Sequence, residues 1–477
     1  MKDLKIIIAG YEAAPFYKRG GLGDVMESLP KALANIGIEV RAVIPYYKDI
    51  KDKYHFEKEG EFTVVFDGKT ENIGIFATKS ANVPFYFLEN RNYLSLSKAK
   101  NKSKRMAQFV FFDLAIVKLT HWLSEHHKWT ATVVHCNDWH TALIPLILNK
   151  MKLKIPTILT IHNLLYQGRG SLKVLDLLGI EDQEAKALKR GMPASEMNVL
   201  GEGIIHATRV STVSPSYAKE IAKTERDHNP ISPFLIERER KGLGQNGKII
   251  GILNGIDYDV WNPAKDELLF HKFDISNWEV GKKDNKDDLL KSLGLKDRPT
   301  FCFVGRMAAQ KGLDILIKAI KQISHLDINL IILGSGDPRI QASVLKIAEK
   351  FPWVKAELIY SEELAHKLYA GSDFIIIPSR YEPCGLIQMI AMKYGTIPIA
   401  AKTGGLKDSI VNGKNGLLFK KGKSIRLKKA IRHALNIKKD TERYQRMVQL
   451  AMKRDFSWDK SAQLYKKLYQ EMVNDNS

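Results

Sequence analysis

Cysteine is scarce. The 477-residue chain has three, Cys136, Cys302 and Cys384, far apart and without metal-ligand spacing, so neither a disulfide framework nor a zinc site is indicated. Long apolar runs are missing too, none approaching the roughly 18 residues that would cross a bilayer. The run Ile6-Ile7-Ile8-Ala9 near the start is shorter than a signal-peptide core and lacks a small-residue cleavage site behind it. It reads as a first buried strand, and a reducing, cytoplasmic location without a membrane is the expectation. Internal repeats, low-complexity tracts, zinc fingers and RNP-like patterns are absent. No acidic pair is read as a divalent-metal site for a donor's phosphates.

What is present is charge of one sign. Lys and Arg number 74 against 53 Asp and Glu, an excess of 74 − 53 = +21, which favours anionic ligands electrostatically. Much of it sits in runs at residues 98–105, 282–291 and 420–429, read as solvated loops and helix faces. Without aromatic residues interleaved among the cations, no nucleic-acid partner is expected.

The length exceeds one ordinary core and implies two domains. Apolar runs at residues 4–9, 39–44, 132–135 and 157–161 alternate with helical patterns at 23–36 and 106–124, the signature of βαβ units and a parallel sheet. A second series starts near Pro299, with strands at 300–304, 330–333, 357–359, 374–377 and 397–400 and helices at 312–323 and 340–350. The polar segment 254–297 between them reads as a hinge, and residues 457–473 as a last helix.

Lys18-Arg19-Gly20-Gly21-Leu22-Gly23-Asp24-Val25 follows the first strand and opens a helix, so its backbone N–H groups could face an anion or sugar. It is not a dinucleotide fingerprint, because Met26 stands where the third glycine belongs. Gly422-Lys423-Ser424 likewise misses the P-loop spacing. The second half carries a matching turn, Thr403-Gly404-Gly405-Leu406. For either turn alone, plain turn geometry is the competing reading, since glycine is the usual residue at positive φ.

Arg306 and Lys311 follow the strand at 300–304 and suit a diphosphate, because charge-assisted bonds would stabilise a leaving group as charge develops; surface solvation is the alternative. Pro378-Ser379-Arg380-Tyr381-Glu382-Pro383-Cys384-Gly385-Leu386 puts Glu382 on a constrained turn past another apolar strand, where a carboxylate could bind sugar hydroxyls. His135-Cys136-Asn137-Asp138-Trp139-His140 and Thr160-Ile161-His162-Asn163 also sit past buried strands. The histidines are read as hydrogen-bonding groups, because no third metal ligand lies nearby.

Taken together, these residues resemble the bacterial glycogen synthase and plant starch synthase family. The match runs in order through residues 18–25, 135–141, 160–168, 212–217, 254–263, 306–313, 378–386, 395–408 and 456–458. The resemblance implies an α/β GT-B architecture, two Rossmann-like domains (1–255 plus 456–477, and 256–455) whose parallel sheets face across a deep cleft, with a C-terminal crossover helix. It implies a metal-independent, retaining glucosyltransferase that needs no cofactor, passes glucose from ADP-glucose to the non-reducing end of an α-1,4-glucan such as glycogen, and releases ADP. By match, Lys18 and the Gly20-Gly21 amides meet donor phosphates and acceptor edge, while Arg306 and Lys311 hold the diphosphate. His162, Asp138, Asn254 and Glu382 surround the transferred glucose. The Gly385-Leu386 and Gly404-Gly405-Leu406 amides complete the cradle, Tyr360 is the base-stacking position, and Asp24, Cys384 and Thr403 join the donor side.

Two departures stand out: Arg19 replaces the family's usual threonine, and Arg169-Gly170-Ser171 lacks the common aromatic. Ile390 stands eight residues after Glu382, where related lipid- or small-molecule glycosyltransferases often carry a second glutamate, and that absence favours the synthase reading. The alternatives are a UDP-glucose-using synthase, another GT-B glycosyltransferase, or a catalytically silent glucan-binding protein.

Overall fold

The computed structural model describes residues 3–97, 101–179, 196–222, 231–242 and 248–475; residues 98–100 of the first basic run lie outside them. The chain forms two compact units, residues 1–252 with 458–477, and residues 253–457. The divisions thus fall after Ile252 and Ser457 rather than after residues 255 and 455.

The first unit holds a nine-stranded sheet. Its strands are β1 (Lys5–Ala9), β2 (Glu39–Pro45), β3 (Glu57–Phe66), β4 (Lys69–Ser80), β5 (Val83–Glu89), β6 (Val133–Asn137), β7 (Thr157–Ile161), β10 (Arg209–Thr212) and β11 (Ile250–Gly251), while β8 (Arg169–Ser171) and β9 (Glu196–Asn198) pair separately. The order is β11-β10-β7-β6-β1-β2-β5-β4-β3. From β11 to β5 the pairing is parallel, and β1, β6 and β7 are almost wholly buried, as expected of strands covered on both faces.

The expectation of a purely parallel sheet fails at the far edge, where β4 runs antiparallel to both β3 and β5. Asp67 (φ 53°) and Gly68 (φ 66°) join β3 to β4, and Ala81 (φ 47°) and Asn82 (φ 66°) join β4 to β5. Two consecutive left-handed residues make the two-residue turn whose twist matches a hairpin. The helix Lys102–His127 packs under this sheet; it is apolar and long enough to cross a membrane, yet 83% of its most apolar window is buried inside the unit. The closing helix Trp458–Asp475 belongs to this unit, burying Trp458, Tyr465, Leu468 and Tyr469 beside β1 and β2 residues.

The second unit holds an all-parallel sheet in the order β14-β13-β12-β15-β16-β17, formed by β12 (Thr300–Val304), β13 (Asn329–Leu333), β14 (Val354–Glu357), β15 (Phe374–Ile377), β16 (Ile397–Ala401) and β17 (Leu417–Phe419). Strand β14 ends at Glu357, earlier than the sequence reading, and leaves Ile359 52% and Tyr360 79% exposed.

The segment read as a hinge is built into this unit. It contains the helix Trp278–Ser292, and Asp266 is buried with Oδ2 accepting the Tyr394 hydroxyl at 2.5 Å and lying 2.6 Å from His366 Nδ1. Lys282, placed by sequence on a solvated face, is 7% exposed and donates to the carbonyls of Ala370 (2.8 Å) and Tyr394 (3.1 Å) and to Thr396 Oγ1 (2.8 Å). A lysine is buried only where acceptors replace its water, and these stitch the helix to its neighbours.

Candidate active site

In the first unit, the predicted residues gather at the carboxyl ends of the adjacent strands β1, β6 and β7, the edge where open α/β sheets bind ligands. Asp138 follows β6 with φ 58° and ψ −174°, a region costly for any residue with a Cβ and typical of functional sites. Its Oδ1 accepts the His162 N–H at 2.7 Å and the Asn163 N–H at 3.3 Å, joining the ends of β6 and β7. Burial pushes the Asp138 carboxyl up to about 7 against those two bonds, with Glu12 adding repulsion. His162, half-buried, is held neutral, its pKa lowered to about 3 by desolvation. Its Nε2 lies 2.8 Å from Asn137 Oδ1, and Asn137 Nδ2 donates to the Ala9 carbonyl at 3.0 Å, tying His162 to the end of β1. Sequence reasoning assigned Asn137 no role; its place between His135 and Asp138 was the only signal.

Of the other two histidines, His135 fits the expected hydrogen-bonding role, whereas both ring nitrogens of the buried His140 have no hydrogen-bond partner among the described residues. His135 Nδ1 meets the Tyr469 hydroxyl and Nε2 the Thr160 hydroxyl, both at 2.7 Å, so both nitrogens are engaged. His140 stacks on Tyr11, ring centroids 3.7 Å apart, and burial lowers its pKa strongly.

The Gly-rich loop departs from its expected role. Gly20 and the helix Gly21–Asn35 lie where the sequence placed them, but the Gly20 and Gly23 N–H groups donate to the Glu12 carboxylate, each at 3.2 Å, as does the Arg19 N–H. The Gly20 amide is therefore already committed, whereas the Gly21 and Leu22 N–H groups have no acceptor among the described residues. Lys18 Nζ pairs with Asp24 Oδ1 at 2.6 Å, joining two predicted donor-side residues. Arg19, the departure from the family pattern, reaches the Ser97 carbonyl at 3.5 Å.

In the second unit, the predicted residues other than Asn254 stand past β12, β14, β15 and β16, again at carboxyl ends, while Asn254 comes just after β11 (Ile250–Gly251). Arg306 is exposed, and its guanidinium makes no hydrogen bond or ion pair among the described residues. Lys311 is engaged: Nζ lies 2.8 Å from Glu382 Oε2, which also accepts the Ser379 hydroxyl at 2.9 Å. Glu382 is 6% exposed, so this acid is stored as a paired, hydrogen-bonded carboxylate. The Gly385 and Leu386 N–H groups have no acceptor among the described residues. Asn254 is buried with Oδ1 unpartnered among the described residues, a cost of about 1–3 kcal/mol unless a donor arrives. Cys384 is buried with its thiol pushed up to about 12 by desolvation, which leaves it unreactive.

The second Gly-rich turn serves Glu382. Gly404 has φ 44°, and a Cβ there would lie 1.9 Å from the Glu382 carbonyl oxygen. The Gly405 N–H donates to that oxygen at 3.0 Å, and the Leu406 N–H turns back to the buried Thr403. The Gly405 amide thus braces the acid-bearing turn and the Leu406 amide closes its own turn, so neither lies open to a ligand.

Asp257-Tyr258-Asp259 has the D-x-D spacing that the sequence reading did not take as a metal site. Asp257 Oδ1 accepts the Asp259 N–H at 2.8 Å, and Asp259 pairs with Lys265 at 2.7 Å.

The model of the starch synthase catalytic domain matches residues 5–235, and that of group 1 glycosyl transferases matches residues 285–454. A glycogen synthase of Caldicellulosiruptor bescii is 37% identical, the match covering 99% of this chain and 100% of the relative. The chain belongs to the glycogen synthase family. Another glycogen synthase, from Clostridium novyi, is 36% identical over 99% of this chain and the whole relative. Among solved structures, the catalytic domain of starch synthase IV from Arabidopsis thaliana, bound to ADP and acarbose, is 32% identical with a TM-score of 0.87, covering 99% of this chain and 100% of that one. Membership makes the chain a glycosyltransferase of the GT-B fold and bears out the resemblance read from the motifs.

Proposed function

We propose that this chain passes glucose from ADP-glucose to the non-reducing end of an α-1,4-glucan, in the cytosol, with retention of configuration and release of ADP. The observation that carries the reading is the chemistry at the strand ends of the second unit. The unpaired Arg306, Lys311 on Glu382, and the open Gly385 and Leu386 N–H groups offer charge and donors to a diphosphate. The exposed Tyr360 ring offers a stacking face to a base, and the orphaned Asn254 Oδ1 an acceptor for a sugar hydroxyl.

In this reading Arg306 and Lys311 stabilise the diphosphate as the glycosidic bond breaks, and charge compensation needs no metal. Neutral His162 cannot donate as an imidazolium and serves as a hydrogen-bonding group to the sugar. The glucan 4-hydroxyl attacks on the face the diphosphate leaves, and the diphosphate takes its proton. That the starch synthase IV structure holds ADP supports the adenine donor.

The test is to incubate the protein with glycogen and either ADP-glucose or UDP-glucose, in the presence of a chelator, and follow nucleotide release. Faster turnover of ADP-glucose, unaffected by chelator, is the expected result. Preference for UDP-glucose would overturn the donor assignment, and loss of activity with chelator would overturn the metal-free reading.

A further inference from the structure

The Gly-rich loop of the first unit already holds an anion of its own. Glu12 stands three residues past the end of β1 and is 1% exposed. Oε2 accepts the Arg19 and Gly20 N–H groups and Oε1 accepts the Gly23 N–H. Among the described residues no cationic side chain is hydrogen-bonded to it, so backbone amides at a helix start neutralise the charge, the usual chemistry of an anion nest. With three amides committed, the loop retains two N–H groups, Gly21 and Leu22, without an acceptor among the described residues, with the Lys18 ammonium on Asp24 beside them.

We propose that Glu12 is a positioning residue for glucosyl transfer: its buried carboxylate fixes the Gly-rich loop so that the Gly21 and Leu22 amides, with Lys18, meet the anionic part of the nucleotide-sugar donor. This rests on the donor reading above. A carboxylate is needed because only an acceptor-only group can receive three N–H donors on two oxygens. An amide would turn an NH2 toward an N–H, and a carboxylic acid would turn an O–H.

Protonation of Glu12 should therefore loosen the loop. Burial raises its pKa to about 7 against the three amide bonds, with Asp24 adding repulsion. The other titratable groups facing it are Tyr11, Tyr17 and Tyr47 and the Asp138 carboxyl past β6. Glu12 is thus poised to change charge near neutral pH.

The experiment is Glu12→Gln, read by the KM for the donor, kcat, the pH dependence of both, and trypsin cleavage after the exposed Lys18 and Arg19. The expected result is a donor KM raised about tenfold with the glucan KM unchanged, the loss of roughly one charge-assisted contact. Wild-type donor KM should rise as pH falls from 8 to about 6, and the rise should be smaller in Glu12→Gln, where the Asp138 carboxyl, also raised to about 7, still titrates in that range. Cleavage of the loop should accelerate about tenfold, because one opening step replaces a braced loop. A donor KM within about twofold of wild type and an unchanged pH profile would overturn the proposal. Should Glu12→Gln fail to fold, Glu12→Asp keeps the charge but is one methylene too short, and a donor KM equal to wild type would overturn it as well. If the wild type transfers no glucose the donor reading fails, and cleavage decides the bracing separately: unchanged cleavage in Glu12→Gln refutes it.

Discussion

Lys311→Ala should disable the protein twice over, once in stability and once in turnover. Lys311 Nζ sits 2.8 Å from Glu382 Oε2, with the side chains 19% and 8% exposed. Removing the ammonium leaves a nearly buried carboxylate with the Ser379 hydroxyl as its one remaining side-chain donor. Breaking a fully buried pair costs about 3–5 kcal/mol; the partial exposure of Lys311 brings this to about 2–3 kcal/mol. For a unit of roughly 200 residues, that lowers Tm by about 4–12 °C. Turnover should fall about a thousandfold, about 4 kcal/mol, if the same ammonium stabilises the leaving diphosphate. The double variant Lys311→Ala with Glu382→Gln separates the two effects. A neutral amide no longer needs the cation, so stability should return to within about 1 kcal/mol of wild type, while activity stays lost. The assays are thermal unfolding and steady-state nucleotide release. Wild-type kcat in Lys311→Ala would refute the catalytic role, and a double variant no more stable than the single would refute the unpaired-carboxylate argument.

Gly404→Ala should cost about 2–4 kcal/mol and most of the activity, because φ of 44° and a Cβ 1.9 Å from the Glu382 carbonyl would displace the acid-bearing turn; thermal unfolding and kcat check it. Lys282→Met should destabilise by about 2–3 kcal/mol with donor KM unchanged, since four buried acceptors lose their donor far from the strand-end residues; urea unfolding reads this. His135, buried between two hydroxyls, has its pKa lowered to about 3 by desolvation, with His162 adding repulsion. The unfolded chain binds that proton near 6.5, so the stability is present above 6.5 and lost as pH falls toward 3, amounting to about 2 kcal/mol by pH 5. His135→Asn should flatten that part of the stability-pH curve between 6.5 and 5, and an unchanged slope would contradict it.

The strand-end chemistry was legible because each residue sits next to a buried apolar run, so a strand placed correctly carries Arg306, Glu382, Asp138 or His162 to the ligand edge automatically. Glu12 was not legible. A single carboxylate in Tyr11-Glu12-Ala13-Ala14 looks like any surface acid, and its partners lie seven to eleven residues onward on backbone atoms that composition cannot flag. Lys282 was hidden by its neighbours, since Lys282-Lys283-Asp284-Asn285-Lys286 is as polar as a solvated face while one side of the helix is buried. The antiparallel edge carried a usable signal in Asp67-Gly68 between two alternating segments, which the emphasis on βαβ alternation passed over. The glycines of 404–405 were found, but their purpose, close backbone approach to Glu382, depends on a neighbour that only the fold supplies.

Glucosyl transfer to α-1,4-linked chain ends is tested most directly by supplying labelled ADP-glucose and glycogen, recovering the polymer, and digesting it with an exo-acting amylase that removes maltose from α-1,4-linked non-reducing ends. The proposed reaction places the label in polymer and returns it as maltose. Label found as free glucose, or in polymer that resists the digestion, would contradict it.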